Sequence, residues 1–467
     1  MRRVAIIGGG LAGLSAAFDL ARAGTAFELF EASGRLGGMV RSSEREGFLI
    51  EHGADSWIAT KPWLEELARD LGMEDEIVAS PAISPSTSIL RNGELTPLPR
   101  GLSLFVPTDL PAIDESHLFS AATKRRFHQE LQSPPKPLAQ NEDADESVAQ
   151  FVERHFGGEV VKVLAGPLLA GVYGGDADKL SARAVIPGMV AMEAQYGSLI
   201  AGAQAARQAA RHTGGLFRSV RRGMGSLVER LASMLPEHSV HLNAAVSAVK
   251  MQGESYSIRT ENQVSAGFSH VVLALPVLIL GQILGLELPE IRYSSAATVA
   301  LAYDSVPQLP AGFGFLVACG EPEPCPVMAA TFVQQKWPER VPSGKSMIRA
   351  FVSDPMLLAM DDDGLANAAR QAFAKTLGIM AVPAFASVDR WPSSMPQYEL
   401  GHLARVEQIL ATVAQRYGKR VLLAGNSYYG VGMPDAVRSG REAAKRAATE
   451  DTEDARRKDR EDRKAED

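Results

Sequence analysis

Residues 2–7, RRVAII, form an apolar run with a charged start, and residues 26–31, AFELFE, form a second one that ends at Glu31. Between them, residues 11–23 place apolar side chains at helical spacing. A strand, a helix and a second strand in this order predict a parallel unit that opens an α/β domain. Residues 60–72, TKPWLEELARDLG, predict an amphipathic helix started by Thr60 and stopped by Gly72. From residue 97 to 150 the pattern loosens. Within it, 133–146 (SPPKPLAQNEDADE) turns from proline-rich to acidic and predicts a solvated loop. Residues 147–212 are alanine-rich and predict helices, and strand-like alternation returns at 239–275 and 297–353. A helix near 364–377, a strand near 385–391, a helix near 401–416 and a strand at 420–425 complete the ordered part. The longest apolar stretch, 271–289, is broken by Pro276, Gln282 and Glu287, so it predicts a strand and a short buried helix rather than a membrane span. Residues 449–467 carry no apolar stripe and predict disorder or a frayed helix.

Composition narrows the function classes. A chain of 467 residues suits several domains or one large interleaved enzyme. Its 46% apolar and 22% charged residues are those of a soluble globular protein. Lys and Arg total 48 against 55 acids, a net charge of −7, and this balance argues against a nucleic-acid binder. Cys319 and Cys325 are the only cysteines, so a disulfide framework or a four-cysteine metal site is excluded. They read as buried thiols of a reducing cytoplasm. The apolar run after Arg3 stops at Gly8, too soon for a secretory leader, and the chain is expected to be cytosolic or peripherally attached to a membrane. Neither HExxH, a P-loop, CxxC nor a Ser-His-Asp order appears, which leaves metal, phosphoryl and nucleophilic chemistry without support.

The glycines supply the positive signal. Gly8-x-Gly10-x-x-Gly13 follows the first strand and opens the helix, with Glu31 at the end of the next strand. Such glycines allow a tight turn and close approach of a pyrophosphate to the helix N-terminus, while the acid can hold a ribose. Three further features favour FAD over NAD. Gly34-Arg35-Leu36-Gly37-Gly38, a second glycine cluster with a cation, resembles the extended FAD signature of glutathione-reductase-like and amine-oxidase-like flavoproteins. Residues 270–276, HVVLALP, resemble the later strand that closes the adenine side in that class. Residues 420–448 read as a strand, a glycine loop and a helix with Pro434 at its start. The amides of Val431, Gly432 and Met433 would then face the pyrimidine end of an isoalloxazine, which gains negative charge on reduction.

The sequence resembles the oxygen-dependent protoporphyrinogen oxidase family and its relatives, the coproporphyrinogen-oxidising flavoenzymes of haem biosynthesis. The resemblance runs from residue 2 to about residue 448. It rests on GGGLAGLSAA (8–17), EASGRLGG (31–38), EHGADSW (51–57), LLAGVYGGDADKLSARAVIPGM (168–189), GFGFLV (312–317), MPQYELGH (395–402) and AGNSYYGVGMPD (424–435). It implies an α/β fold of p-hydroxybenzoate-hydroxylase type. A non-contiguous Rossmann-type FAD-binding domain is expected at 1–86, 213–275 and 388–448. A mainly helical domain able to touch membrane is expected at 87–212, a mixed-sheet substrate domain at 276–387, and a charged disordered tail at 449–467.

Matched position by position, the resemblance implies FAD contacts at Gly8, Gly9, Gly10, Leu11, Ala12, Gly13, Glu31, Ala32 and Met39. The same holds for Gly53, Ala54, Asp55, Ser56, Val246, Trp391, Val431, Gly432 and Met433. Substrate contacts are implied at Phe313, Gly314, Leu316, Met395 and Tyr398, with Gly171, Val172 and Tyr173 on the far wall. Where members of the family carry an arginine, this chain has Thr87 and Ser88, with Arg91 and Arg100 further on, so the cation that meets a substrate carboxylate stays open. The implied reaction takes protoporphyrinogen IX to protoporphyrin IX in three two-electron steps, with dioxygen as acceptor. Oxidation of coproporphyrinogen III is the alternative, and another flavin amine oxidase or desaturase is a further one. The implied protein is a monomer or homodimer with flavin-centred chemistry, no catalytic side chain and no metal.

Overall fold

A computed structural model of the chain describes residues 2–83, 86–135, 145–209, 214–321 and 325–465. Its first strand, β1 (Arg3–Ile7), is buried over Val4–Ile7, which accounts for a continuous apolar run rather than an alternating one. Helix α1 (Leu11–Arg22) follows, and then β2 (Ala26–Phe30). Among the described residues these strands belong to a five-stranded parallel sheet ordered Val240–His241, β2, β1, His270–Leu273 and Val421–Leu423. One face packs on α1, Trp63–Asp70 and Met224–Ser233. The other packs on Val277–Leu284, His402–Tyr417 and a small antiparallel sheet of residues 246–268. The C-terminal helix, Met433–Ala465, crosses α1 so closely that a Cβ on Gly440 would collide with the Ala12 carbonyl.

A second sheet has seven strands among the described residues: Phe385–Pro396, Tyr293–Tyr303, Ser346–Val352, Ala329–Phe332, Gly314–Val317, Ser88–Arg91 and Glu94–Pro97. It is antiparallel except where Gly314–Val317 runs parallel to Ser88–Arg91. Its outer face is covered by Asp362–Leu377. The domain boundaries expected at 87 and 388 therefore run through this sheet, because strands before the helical region and after residue 388 complete it by edge pairing. The last helix continues through 449–465, one of the two forms expected for the tail. Most of the loop expected at 133–146 lies outside the described residues. Cys319 is exposed rather than buried, at the turn that follows Gly314–Val317.

The helical layer packs around Phe127, Phe151, Phe156 and Leu164. Its core also holds an ionic network. His155 is fully buried between Glu130 Oε1 and Glu193 Oε1, each at 3.0 Å. Glu130 in turn accepts from Ser198 Oγ and the Leu199 amide, both at 2.7 Å, at the start of the helix Leu199–Ala209. Arg154 pairs with Glu193 and, at 2.6 Å, with Glu146. Burial by itself would lower the His155 pKa, but the two carboxylates outweigh it and the value is raised. A raised folded-state pKa contributes stability that is fully present below the unfolded value of about 6.5 and is lost as pH climbs through the folded one. His155→Gln should therefore cost about 3–5 kcal/mol at about pH 6 and less at about pH 9, measured by denaturant unfolding. A deficit that stays constant with pH would show that His155 is not the titrating group.

Candidate functional site

Glycine at three positions builds a cradle at the end of β1. Gly8 has φ +104°, and its amide donates to the Phe30 carbonyl at 2.8 Å. Side chains at Gly8 and Gly13 would collide with the Ala274 and Gly8 carbonyls, so these two glycines serve the turn and the helix–strand approach. Gly10 differs. A Cβ there would meet nothing within 4 Å. Gly10 caps α1 with extended backbone and no side-chain hydrogen bond, which leaves the first-turn amides of Leu11 and Ala12 facing open space. Amides with a helix dipole behind them, beside a space that a side chain would fill, fit the pyrophosphate of a dinucleotide. Gly38 of the second glycine cluster backs this space, 3.2 Å from the Gly10 Cα to its own would-be Cβ.

Glu31 lies one residue beyond β2. Its Oε2 accepts from the Gly9 amide at 2.7 Å and its Oε1 from the Ser33 amide at 2.8 Å. Carboxylate oxygens keep further lone pairs for ribose hydroxyls. Ala32 is exposed beside it, and Ala244 donates to the Glu31 carbonyl, which brings Val246 at the next strand start alongside.

The segment Gly53–Ser56 joins the two sheets. A side chain on Gly53 would collide with the Met39 carbonyl and lie 3.7 Å from the Trp391 ring, so Met39, Gly53 and Trp391 converge. Trp391 Nε1 donates to the His52 carbonyl at 3.0 Å, and Arg349 donates to the Gly53 carbonyl at 2.6 Å. Ala54 is exposed. The Asp55 carboxylate turns inward: Lys336 Nζ lies 3.1 Å from both oxygens and 3.0 Å from Ser56 Oγ, with Trp337 Nε1 at 3.1 Å. Burial would raise the Asp55 pKa, but Lys336, Arg349 and Arg340 hold it well below the usual carboxylate range. Arg340 also pairs with buried Glu51 at 3.2 Å, whose pKa burial nonetheless raises. Asp55 thus has its side chain committed within the protein, and its carbonyl accepts from Ser219 Oγ at 2.6 Å. Sequence reading did not find this cluster. The available signal was Arg349, a charge in the middle of the strand SMIRAFV.

The expected substrate residues come from three elements. Gly171, Val172 and Tyr173 end the helix Gly166–Tyr173, and Val172 is 58% exposed although it is apolar. A Cβ on Gly171 would contact Leu316 at 3.8 Å, and one on Gly174 would strike the Met395 methyl, so the three segments share one wall. Phe313 is buried edge-on to Phe217, with centroids 6.5 Å apart. Gly314 plays a different part from the one expected. At φ +149° its side-chain direction runs into the Ala330 carbonyl of the adjacent strand, so it is a strand-packing glycine and Gly314→Leu would break the sheet rather than fill a pocket. Arg91 is paired with Glu159 at 2.8 Å, and Arg100 with Asp109 at 3.1 Å.

Tyr398 is fully buried and acts as a strut. Its hydroxyl donates to the Asn426 carbonyl at 2.6 Å and accepts from the Gly430 amide at 2.9 Å. Its ring stacks on His402 at 3.8 Å and faces Tyr173 at 5.8 Å. This strut holds the turn that leads into Val431, Gly432 and Met433. Val431 packs on the helical core, Met433 on the core of the parallel sheet, and the Gly432 amide donates to Asp435 at 3.2 Å. Burial pushes the Tyr173 and Tyr398 phenols well up, so both stay protonated, and pushes His402 down to about 4, so it is neutral at pH 7. If the cradle is a pyrophosphate site, Gly10→Val should leave a folded protein that purifies without flavin. A full yellow spectrum in that variant would refute the assignment.

Residues 11–448 match the model of the family described as flavin containing amine oxidoreductase. The chain is 31% identical over 471 residues to the coproporphyrinogen III oxidase of Bacillus subtilis (strain 168), covering 96% of this chain and 98% of that one. It is 26% identical to protoporphyrinogen oxidase 2, chloroplastic/mitochondrial, of Arabidopsis thaliana, over 95% and 93% of the two chains. Among solved structures, one from Exiguobacterium sp. 255-15, assigned as a protoporphyrinogen oxidase, superposes with a TM-score of 0.85 at 31% identity, over 96% of this chain and 99% of that one. Cyclohexylamine oxidase from Brevibacterium oxydans IH-35A shares the fold, with a TM-score of 0.69 at 18% identity over 96% and 99%.

Proposed function

The chain belongs to the flavin-containing amine oxidoreductases and, within them, to the porphyrinogen oxidases with FAD as cofactor; from this we propose that it oxidises coproporphyrinogen III to coproporphyrin III. The expectation of protoporphyrinogen as first substrate gives way here. The full-length relatives of 31% identity from Bacillus subtilis and Staphylococcus aureus carry the coproporphyrinogen name, and the plant protoporphyrinogen oxidase stands at 26%. The structural observation that supports a flat macrocyclic substrate is the wall of Val172, Leu316 and Met395. It presents apolar surface from three elements, and its protonated phenols cannot serve as bases at neutral pH.

Bound FAD supplies hydride acceptance and reoxidation by dioxygen, and three such cycles convert a porphyrinogen and three dioxygen molecules into the porphyrin and three of hydrogen peroxide. The protein holds that cofactor through the amides of Leu11 and Ala12 and the Glu31 carboxylate, and at its far end through the turn that Tyr398 braces. Val172, Leu316 and Met395 orient the ring by apolar contact. Val172, Leu316 and Met395 carry no group that could take the pyrrole proton released in each step. Among the described residues, no helix is long and apolar enough to cross a membrane.

Aerobic incubation of the holoenzyme with each porphyrinogen, followed by porphyrin fluorescence, tests the reading. Coproporphyrinogen III should be turned over with the larger kcat/KM, and a preference for protoporphyrinogen IX would overturn it. Leu316→Ala should lose about 1–3 kcal/mol of kcat/KM while keeping its flavin, because it removes apolar contact from a pocket wall. An unchanged kcat/KM would remove Leu316 from the wall.

A further inference from the structure

Lys336 occupies an unusual place for a lysine. It is 8% exposed, at the end of the short helix Val333–Lys336, and it faces three groups. Two are Asp55 and Ser56 of the segment expected to meet the cofactor, at 3.0–3.1 Å. The third is the Phe217 ring, with Nζ 4.6 Å from its centroid. Phe217 in turn packs edge-on against Phe313, at 71° and 6.5 Å. The same unit is closed through the backbone. Phe217 pairs with Ile58, two residues beyond Ser56, and the Phe332 amide donates to the Phe313 carbonyl at 2.7 Å immediately before Lys336's helix. One ammonium therefore touches the segment expected to meet the cofactor on one side and, through a single aromatic ring, Phe313 of the expected substrate contacts on the other.

Stability alone is a weak reason for this arrangement. Desolvating an ammonium and a carboxylate costs several kcal/mol per ion, and apolar residues of the same volume often serve a core equally well or better. An ion pair gives something an apolar contact does not, namely a fixed distance and direction. A cation also holds an aromatic ring by its face while leaving the edge free to meet another ring.

We propose that Lys336 is a positioning residue for the macrocycle: pinned by Asp55, it fixes Phe217 and thereby the distance between Phe313, at the head of the strand that carries Leu316, and the Gly53–Ser56 segment. This rests on the reading of the site as a porphyrinogen oxidase. It adds that ring placement relative to the cofactor is set from the mixed sheet by an ion pair outside the substrate-contacting surface.

The test uses the holoenzyme carrying Lys336→Met, Lys336→Arg or Phe217→Leu, with flavin content, kcat and KM for coproporphyrinogen III measured on each. Lys336→Met and Phe217→Leu should keep their flavin and raise KM about tenfold with a smaller change in kcat, the pattern of lost substrate placement. Lys336→Arg keeps both the charge and the ring contact and should restore KM to within about threefold of the original. If Lys336→Met fails to fold because Asp55 is left without its partner, Phe217→Leu decides, since it leaves the ion pair intact. A KM within about twofold of the original in Phe217→Leu overturns the proposal while the proposed activity stands. If the unaltered holoenzyme oxidises no porphyrinogen, the functional reading itself has failed and this assignment falls with it.

Discussion

The mixed sheet is tied to the segment beside the glycine cradle by buried charge. Glu51, at the end of the strand Phe48–Glu51, and Asp55, in the loop after it, meet Lys336, Arg340 and Arg349 from the mixed sheet and its short connections. The carboxylates face more cations than they can balance singly, so the loop cannot leave without stranding charges in a low-dielectric interior. The Arg349 contact to the Gly53 carbonyl and the Trp391 contact to the His52 carbonyl then follow as backbone anchors of the same loop. On the proposed reading, the cofactor cradle and the substrate wall stand on different sheets, and this cluster fixes the loop beside them.

The parts of the fold that answer to local rules were legible in the sequence. β1, α1 and β2 follow from an apolar run, a helical repeat and glycines whose roles can be separated one by one. The cofactor follows from the same residues, because the open space above Gly10 and the crowding at Gly8 and Gly13 are what a phosphate-binding turn requires. What escaped were features set by long-range pairing. Residues 88–97 carry no sign that they lie beside Gly314–Val317, because an edge strand's partner is chosen by the whole sheet. Gly314 looked like a ligand-facing glycine until its neighbour Ala330 was known. Asp55 looked like a cofactor contact, and its cationic partners lie about 280 to 295 residues away in sequence.

Tyr398 braces the candidate site from within the protein. Its ring stacks on His402 and meets Tyr173 edge-on, and its hydroxyl closes two backbone hydrogen bonds across the turn at 426–430. A buried hydroxyl satisfied on both sides is costly to disturb, so the turn inherits its rigidity from the phenol. The helical layer, the cofactor turn and the start of the last helix meet at that single side chain.

The contact between Gly440 and the Ala12 carbonyl bears on how the molecule is made. Helix α1 leaves the ribosome more than 400 residues ahead of the helix that packs across it. The central parallel sheet repeats the pattern, since β1 pairs with residues 270–273, and residues 271–273 pair with 421–423. Until the chain has grown through Gly440, α1 has no partner for its small-residue face and the sheet lacks an edge. At about 5–20 residues per second the nascent chain spends tens of seconds in that incomplete state, with apolar surface exposed. Closure of the glycine turn between its two helices is consequently a late event in the synthesis of each molecule.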